Sequence, residues 1–227
     1  MPRLDARLKL VAAEIRGKIH ADIGSDHGHL LAALLSADRI ERGIAVENKL
    51  QPYRNSSATL ERLNAEVRLG DGMDVIEENE IDSLSICGMG GQSIVRILSE
   101  HPNRLPKQIV VQPNKAIASV RQWARDNGYW LTDEKCTGTK RRFEVLVFSR
   151  FGPPHDPVYQ KLNEVGLDES MGLMFGPWFL LRKDERLLQR LAEEQRYLQS
   201  KQNLTQTSCA RVETIRRLLS SDHFLSR

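Results

Sequence analysis

The stretch Ala21–Leu30, ADIGSDHGHL, decides the fold. The apolar run Ile19–Ile23 leads into it and reads as a buried strand. After the polar turn, residues 27–37 read as a helix with Leu30, Leu31, Leu34 and Leu35 on its buried side. A strand that ends in Asp22-Ile23-Gly24 and turns at once into a helix is how an open α/β sheet offers its carboxyl edge to a ligand. Gly24 allows a tight turn and a close approach of backbone to that ligand. Taken alone, the same residues also fit a plain strand-to-helix turn with an acidic cap. Asp26 and His27 stand where a pyrophosphate-binding loop wants glycine or another small residue. Pyrophosphate rests against the bare N–H groups and positive dipole of a helix N-terminus, and a carboxylate in that loop repels it. The loop therefore argues against a dinucleotide and suits a positively charged ligand.

The same grammar repeats outward from this point. Gly43–Val46 is a second strand, ending in Glu47, and residues 50–64 form a helix with Leu50, Tyr53, Leu60 and Leu63 inward. Glu66–Leu69 is a third strand, ending at Gly70-Asp71-Gly72. Ile81–Ile86 ends at Cys87-Gly88-Met89-Gly90-Gly91, with a helix beyond, and Gln108–Val111 ends at Gln112-Pro113-Asn114. A helix over residues 115–127 closes at Gly128, and another over residues 4–15 precedes the first strand. Alternation of this kind predicts a mostly parallel, doubly wound α/β sheet. Tyr129–Cys136 and Arg142–Ser149 then read as an antiparallel hairpin, which is how the methyltransferase version of this sheet ends.

Gly152-Pro153-Pro154 with Pro157 marks a boundary, giving an α/β domain over residues 1–151 and a helical domain over residues 152–227. In the second, residues 182–200 and 207–219 are helical. Their stripes, Leu180, Leu187, Leu191 and Leu198 against Val212, Ile215 and Leu219, pair as a helical hairpin.

Composition sets the outer limits. Of 227 residues, 40% are apolar, enough for a core and too many for a disordered chain. A net charge of +3 permits a local nucleic-acid patch without arguing for one. Cys87, Cys136 and Cys209 are widely spaced and show neither a disulfide framework nor metal-ligand spacing, which fits a reducing cytoplasm. The charged N-terminus, MPRLDARLKL, does not read as a signal peptide, and no run approaches the roughly 18 apolar residues of a membrane helix.

Three acidic residues lie at three successive strand ends. Glu47 falls 23 residues past Gly24, the spacing at which a carboxylate receives both ribose hydroxyls of an adenosine cofactor. In the methyltransferase arrangement the carboxylate at the position of Asp71 accepts from the adenine amino group, although a Gly-Asp-Gly turn alone is a common one. S-adenosylmethionine carries no phosphate, and its ammonium and sulfonium suit the carboxylates that repel pyrophosphate.

Asp22-Ile23-Gly24-Ser25-Asp26-His27, Gly70-Asp71-Gly72, Gly88-Met89-Gly90-Gly91, Gln112-Pro113-Asn114 and Phe143-Glu144-Val145-Leu146-Val147 occur in this order. Together they closely resemble the bacterial tRNA adenine-22 N1 methyltransferases of the TrmK type, over residues 1–220. The resemblance implies a class I fold and transfer of a methyl group from S-adenosylmethionine, leaving S-adenosylhomocysteine, to N1 of an adenine in the tRNA D-arm, with no metal. It implies that Asp22, Gly24, Ser25, Glu47, Asp71, Gly72, Gly88 and Met89 hold the cofactor. It puts Asp26 beside the target ring to stabilise the cationic product, with His27 as a proton acceptor or a helix cap. Asn114 meets a base edge or caps the helix at Lys115. His29, Gly90, Gly91, Gln112 and Pro113 face the substrate. The family commonly has Ala-Tyr where this chain has Gly28-His29, and His29 is then the stacking candidate.

Lys140, Arg141 and Arg142 form the densest basic cluster and the first candidate for RNA phosphates. Arg3, Arg7 and Lys9, and Arg182, Lys183, Arg186 and Arg190, are secondary patches. The expected assembly is a monomer or weak homodimer. Two alternatives stay open: a methyltransferase of this fold acting on another RNA base or a small molecule, and a non-catalytic RNA-binding protein.

Overall fold

The computed structural model describes residues 4–138, 142–151, 156–201, 203 and 205–225. Arg3, Lys140, Arg141 and Gly152-Pro153-Pro154 lie outside the described residues. The described residues form two compact units, one within residues 1–154 and one within residues 155–227.

In the first unit, α1 (Ala6–Glu14) precedes β1 (Ile19–Ile23), α2 (His29–Ser36), β2 (Arg42–Glu47), α3 (Leu50–Leu60), β3 (Ala65–Leu69), β4 (Ser83–Cys87), α4 (Gly91–Glu100), β5 (Gln108–Gln112) and α5 (Ile117–Asp126). β6 (Tyr129–Thr137) and β7 (Phe143–Arg150) close the unit. The sheet runs β3-β2-β1-β4-β5-β7-β6. The first five strands are parallel, and β7 lies antiparallel to both β5 and β6. The order reverses between β1 and β4, so the carboxyl ends of those strands form the crevice where ligands of such sheets bind. β1, β2, β4 and β5 are buried almost throughout because helices cover both faces. β3 sits at an edge and is half-exposed.

One expectation for α3 changes. Leu50 is 52% exposed rather than inward, since it is the first residue of α3 and precedes the packed turns. The buried polar residue of that helix is Ser56, which the apolar spacing did not mark.

The second unit holds α6 (Pro157–Glu164), α7 (Glu169–Phe175), α8 (Pro177–Leu181), α9 (Glu185–Gln199) and α10 (Gln206–Leu219). Pro157 is the first residue of α6, where its missing N–H costs no hydrogen bond, and the Asp156 side chain caps that helix. α9 and α10 pack together through Leu187, Leu191, Ile215 and Leu218, and Arg211 pairs with Glu194. Leu180 belongs to α8, because Asp184 caps a new helix after it. Leu218 rather than Leu219 is buried in α10, alongside Ile215.

Candidate active site

The loop after β1 is built from positive-φ residues. Gly24 (φ 71°), Asp26 (φ 61°) and Gly28 (φ 67°) take the left-handed conformation, which glycine accepts freely and aspartate tolerates better than most residues. Two strand-end contacts hold the loop. The Gly24 N–H donates to the Val46 carbonyl at 2.8 Å, and the Asp26 N–H donates to Glu47 Oε1 at 2.5 Å. Gly28 is the N-cap of α2 and supplies no side-chain cap, so His27 is not the cap of that helix. Its ring stays exposed, 3.7 Å from the Asp26 carboxylate, and stacks on His29 with centroids 5.3 Å apart. The strained loop thus fixes a carboxylate and two imidazoles at one rim.

That rim opens on a cavity of about 460 Å³, lined among others by Arg7, Asp22, Gly24, Ser25, Asp26, His27, His29, Gly88 and Met89. Asp22 is 4% exposed and makes no ion pair among the described residues. Its carboxylate accepts from the Ser85 hydroxyl at 2.6 Å, and burial pushes its pKa up. The Ser25 hydroxyl lies close enough to favour the charged form of Asp22, yet is buried without a hydrogen bond of ordinary geometry. A buried carboxylate and an unsatisfied hydroxyl on one cavity wall fit a ligand that brings a cation with N–H donors.

A second cavity, of about 210 Å³, lies toward β2 and β3, lined by Asn48, Gly70, Asp71, Gly72, Arg96 and Met89. The Arg96 guanidinium pairs with Asp71 at 3.1 Å. Met89 lines both cavities, and its terminal methyl fills the space where a Cβ on Gly24 would stand. Glu47 is 4% exposed, with Oε1 accepting from Asp26 and from the Ser56 hydroxyl at 3.2 Å. Burial raises its pKa.

Asn114 does not cap α5, whose N-cap is Ala116. Its N–H donates to the Met89 carbonyl at 2.7 Å and its side-chain amide to the Gly88 carbonyl at 2.5 Å. Gln112 is fully buried. It accepts from Arg7 at 2.9 Å and donates to the Pro113 carbonyl at 3.1 Å. Gly91 faces the Ala116 carbonyl, with which a Cβ would collide, and Gly90 faces Lys115. The structure therefore brings Asp22, Gly24, Ser25, Asp26, His27, His29, Gly88 and Met89 into one cavity and leaves Gln112, Gly90 and Gly91 as its supports.

Arg142 also differs from its expected place at an exposed basic turn. Only 12% of its side chain is exposed, and it donates to Glu144 at 3.1 Å, because Glu144 is buried and already shared with Arg121. Arg7, expected on an outer patch, turns into the site instead. Apolar periodicity treated α1 as a packing helix and gave no reason to look there. Arg96 was likewise missed, since only the fold brings it to Asp71.

The methyltransferase domain family matches residues 4–146. The tRNA (adenine(22)-N(1))-methyltransferase of Bacillus subtilis (strain 168) is 32% identical over 206 residues, covering 87% of this chain and 84% of that one. The chain belongs to the TrmK-type tRNA m1A22 methyltransferase family. The crystal structure of the B. subtilis family member superposes with a TM-score of 0.81 at 28% identity, covering 98% of this chain and 99% of that one. A Streptococcus pneumoniae structure in complex with S-adenosyl-L-methionine gives 0.80 at 25% identity, covering 96% of this chain and all of that one. The family's fold, its antiparallel sheet end and its C-terminal helices are those described above. Among the described residues no helix is long and apolar enough to cross a membrane.

Proposed function

We propose that this chain methylates N1 of adenine 22 in tRNA, with S-adenosylmethionine as donor. The observation that carries the proposal is one cavity at the sheet's switch point holding both a buried carboxylate, Asp22, and an exposed rim of Asp26, His27 and His29. The donor supplies an electrophilic methyl on a sulfonium. Asp22 and Ser25 face its ammonium; Asp71, Gly72 and the Glu47 strand end are assigned to its adenosine half. Gly24, Gly88 and Met89 line the space between.

Adenine N1 holds a lone pair at neutral pH, so the chain's task is alignment and exclusion of water rather than activation by a strong base. The target base must leave its stack to reach the cavity. His29 and His27, stacked face to face, offer it a ring surface. Asp26 stands where the ring becomes cationic, and its charge lowers the barrier to that state. His27, beside Asp26, takes up the proton released from the exocyclic amine. Asn114 acts by holding the Gly88–Met89 carbonyls, and Gln112, Pro113, Gly90 and Gly91 by supporting that wall. Lys140 and Arg141 remain the proposed phosphate contacts. The two-domain division near residue 151, a monomer or weak homodimer, and a cytoplasmic setting in keeping with three free thiols complete the reading.

The test is methyl transfer to unmodified tRNA with nucleoside analysis, using a tRNA with guanosine at position 22 as the control. N1-methyladenosine is expected in the first and absent from the second. Asp26→Ala is expected to abolish turnover and spare cofactor binding. Loss of both would make Asp26 a cofactor ligand.

A further inference from the structure

β1 and β4 are buried strands, yet each carries two polar residues spaced two apart: His20 and Asp22, Ser83 and Ser85. Residues two apart on a strand share a face. The parallel register sets His20 opposite Ser83 and Asp22 opposite Ser85, so the four side chains form one patch. None is more than 4% exposed. His20 Nδ1 lies 2.8 Å from Ser83 Oγ, His20 Nε2 lies 2.9 Å from Ser85 Oγ, and Ser85 Oγ lies 2.6 Å from Asp22 Oδ1.

The protons in this chain can be counted. Burial pushes the His20 pKa down to about 3, so the ring is neutral, with one N–H and one lone pair. An ionised Asp22 can only accept, so Ser85 gives it its single hydroxyl proton. Ser85 must then receive the Nε2–H, and Nδ1 must receive the Ser83 hydroxyl. The reverse order, with every arrow inverted, requires a protonated Asp22. Histidine serves both because it exchanges tautomers.

We infer that Ser83, His20 and Ser85 form a directional hydrogen-bond chain that holds the Asp22 carboxylate ionised and aimed at the ammonium of the cofactor's amino-acid end. Ser85 and His20 are thus positioning residues for cofactor binding. A cation arriving at Asp22 selects the forward order. Arg7, on the same cavity, favours the charged form through space without pairing with Asp22, so the carboxylate stays open to the ligand's cation. The inference rests on the reading that Asp22 receives that ammonium.

Two probes separate the amino-acid end from the rest. S-adenosylhomocysteine carries the ammonium, whereas 5′-methylthioadenosine has the same nucleoside and thioether without it. Calorimetric affinities for both are measured on the full chain. Ser85→Ala and His20→Leu are expected to weaken S-adenosylhomocysteine by about tenfold, the scale of one hydrogen bond to a charged group, and to leave 5′-methylthioadenosine within about twofold. His20→Gln, which keeps a donor and an acceptor, restores most of the lost affinity. Unchanged S-adenosylhomocysteine affinity in both variants, an equal loss of both probes, or a His20→Gln variant as weak as His20→Leu would each overturn the chain. Asp22→Asn tests the underlying reading. If it binds S-adenosylhomocysteine as the wild type does, Asp22 is not the ammonium acceptor. If it loses that affinity while Ser85→Ala and His20→Leu do not, only the hydrogen-bond chain fails.

Discussion

Arg121 and Asp22 are both buried in the sheet unit, at 1% and 4% exposure, and their surroundings differ in kind. Arg121 donates to Glu134 at 2.6 Å and to Glu144 at 2.8 Å, and Glu144 also meets Arg142. Among the described residues, the two arginines are paired with the two carboxylates, so each buried charge has a partner of opposite sign. The cluster ties α5 to the β6–β7 hairpin. Asp22 is met by hydroxyls and, through Ser85, by a neutral imidazole. Arg7 acts on it only through space, so its charge is not matched by an ion pair. A buried charge network that balances itself belongs to the architecture, whereas one left open at a cavity wall is completed by a ligand.

The largest expected effect breaks the Arg121 cluster. Arg121→Leu leaves Glu134 and Glu144 buried with too few cations and is expected to cost about 3–5 kcal/mol, read by urea denaturation. A cost below about 1 kcal/mol, the surface-pair range, would erase the contrast. Asp22→Asn sharpens the comparison from the other side. Removing an unmatched buried charge is expected to leave the denaturation midpoint at or above that of the wild type, even as cofactor affinity falls. A midpoint that drops as it does for Arg121→Leu would show that both clusters are structural.

A third expectation concerns acid. His20 titrates at about 3 when folded, against an ordinary value of 6.5. Between those values the unfolded chain binds a proton that the native state excludes, so the His20 contribution falls as pH drops below 6.5. From pH 7 to pH 5 this amounts to about 2 kcal/mol, and His20→Gln is expected to shrink the measured loss of stability by that amount. An unaltered pH profile would mean that the ring takes up its proton in the folded protein. The smallest effect is expected at Arg96, half-exposed and paired with Asp71. Arg96→Ala should leave the denaturation midpoint in place, as exposed pairs generally do, and change the affinities for 5′-methylthioadenosine and S-adenosylhomocysteine by the same factor, since both carry the adenosine half.

The strand ends were legible in the sequence because glycine and acidic residues mark them locally. Gly24, Asp22 and Asp26 needed no knowledge of what lies beside them. The partners of Asp22 were not legible, because Ser85 reaches it only through the β1–β4 pairing, 63 residues away in the chain. The polar alternation His20-Ala21-Asp22 and Ser83-Leu84-Ser85 inside buried strands was the available signal. Glu47 read correctly as a strand end, but its use of Oε1 to hold the Asp26 N–H depends on a left-handed loop that residue spacing does not reveal. Arg142 read as a surface cation because the buried Glu144 beside it looked like an ordinary strand residue. In the C-terminal unit, the short helices α6 to α8 fell below the length at which periodicity speaks.

The loops after β4 and β5 are fastened to each other at three points: Gly91 N–H to the Lys115 carbonyl at 2.8 Å, and Asn114 to the carbonyls of Met89 and Gly88. Gly91 has no side chain to hold them apart. The two loops therefore form one stiff wall, and their ordering entropy is met when the protein folds rather than when RNA arrives. Affinity for a splayed nucleotide is not diminished by the need to freeze that wall at each encounter. At the opposite rim, Asp26, His27 and His29 stand exposed, with the Asp26 backbone held on Glu47.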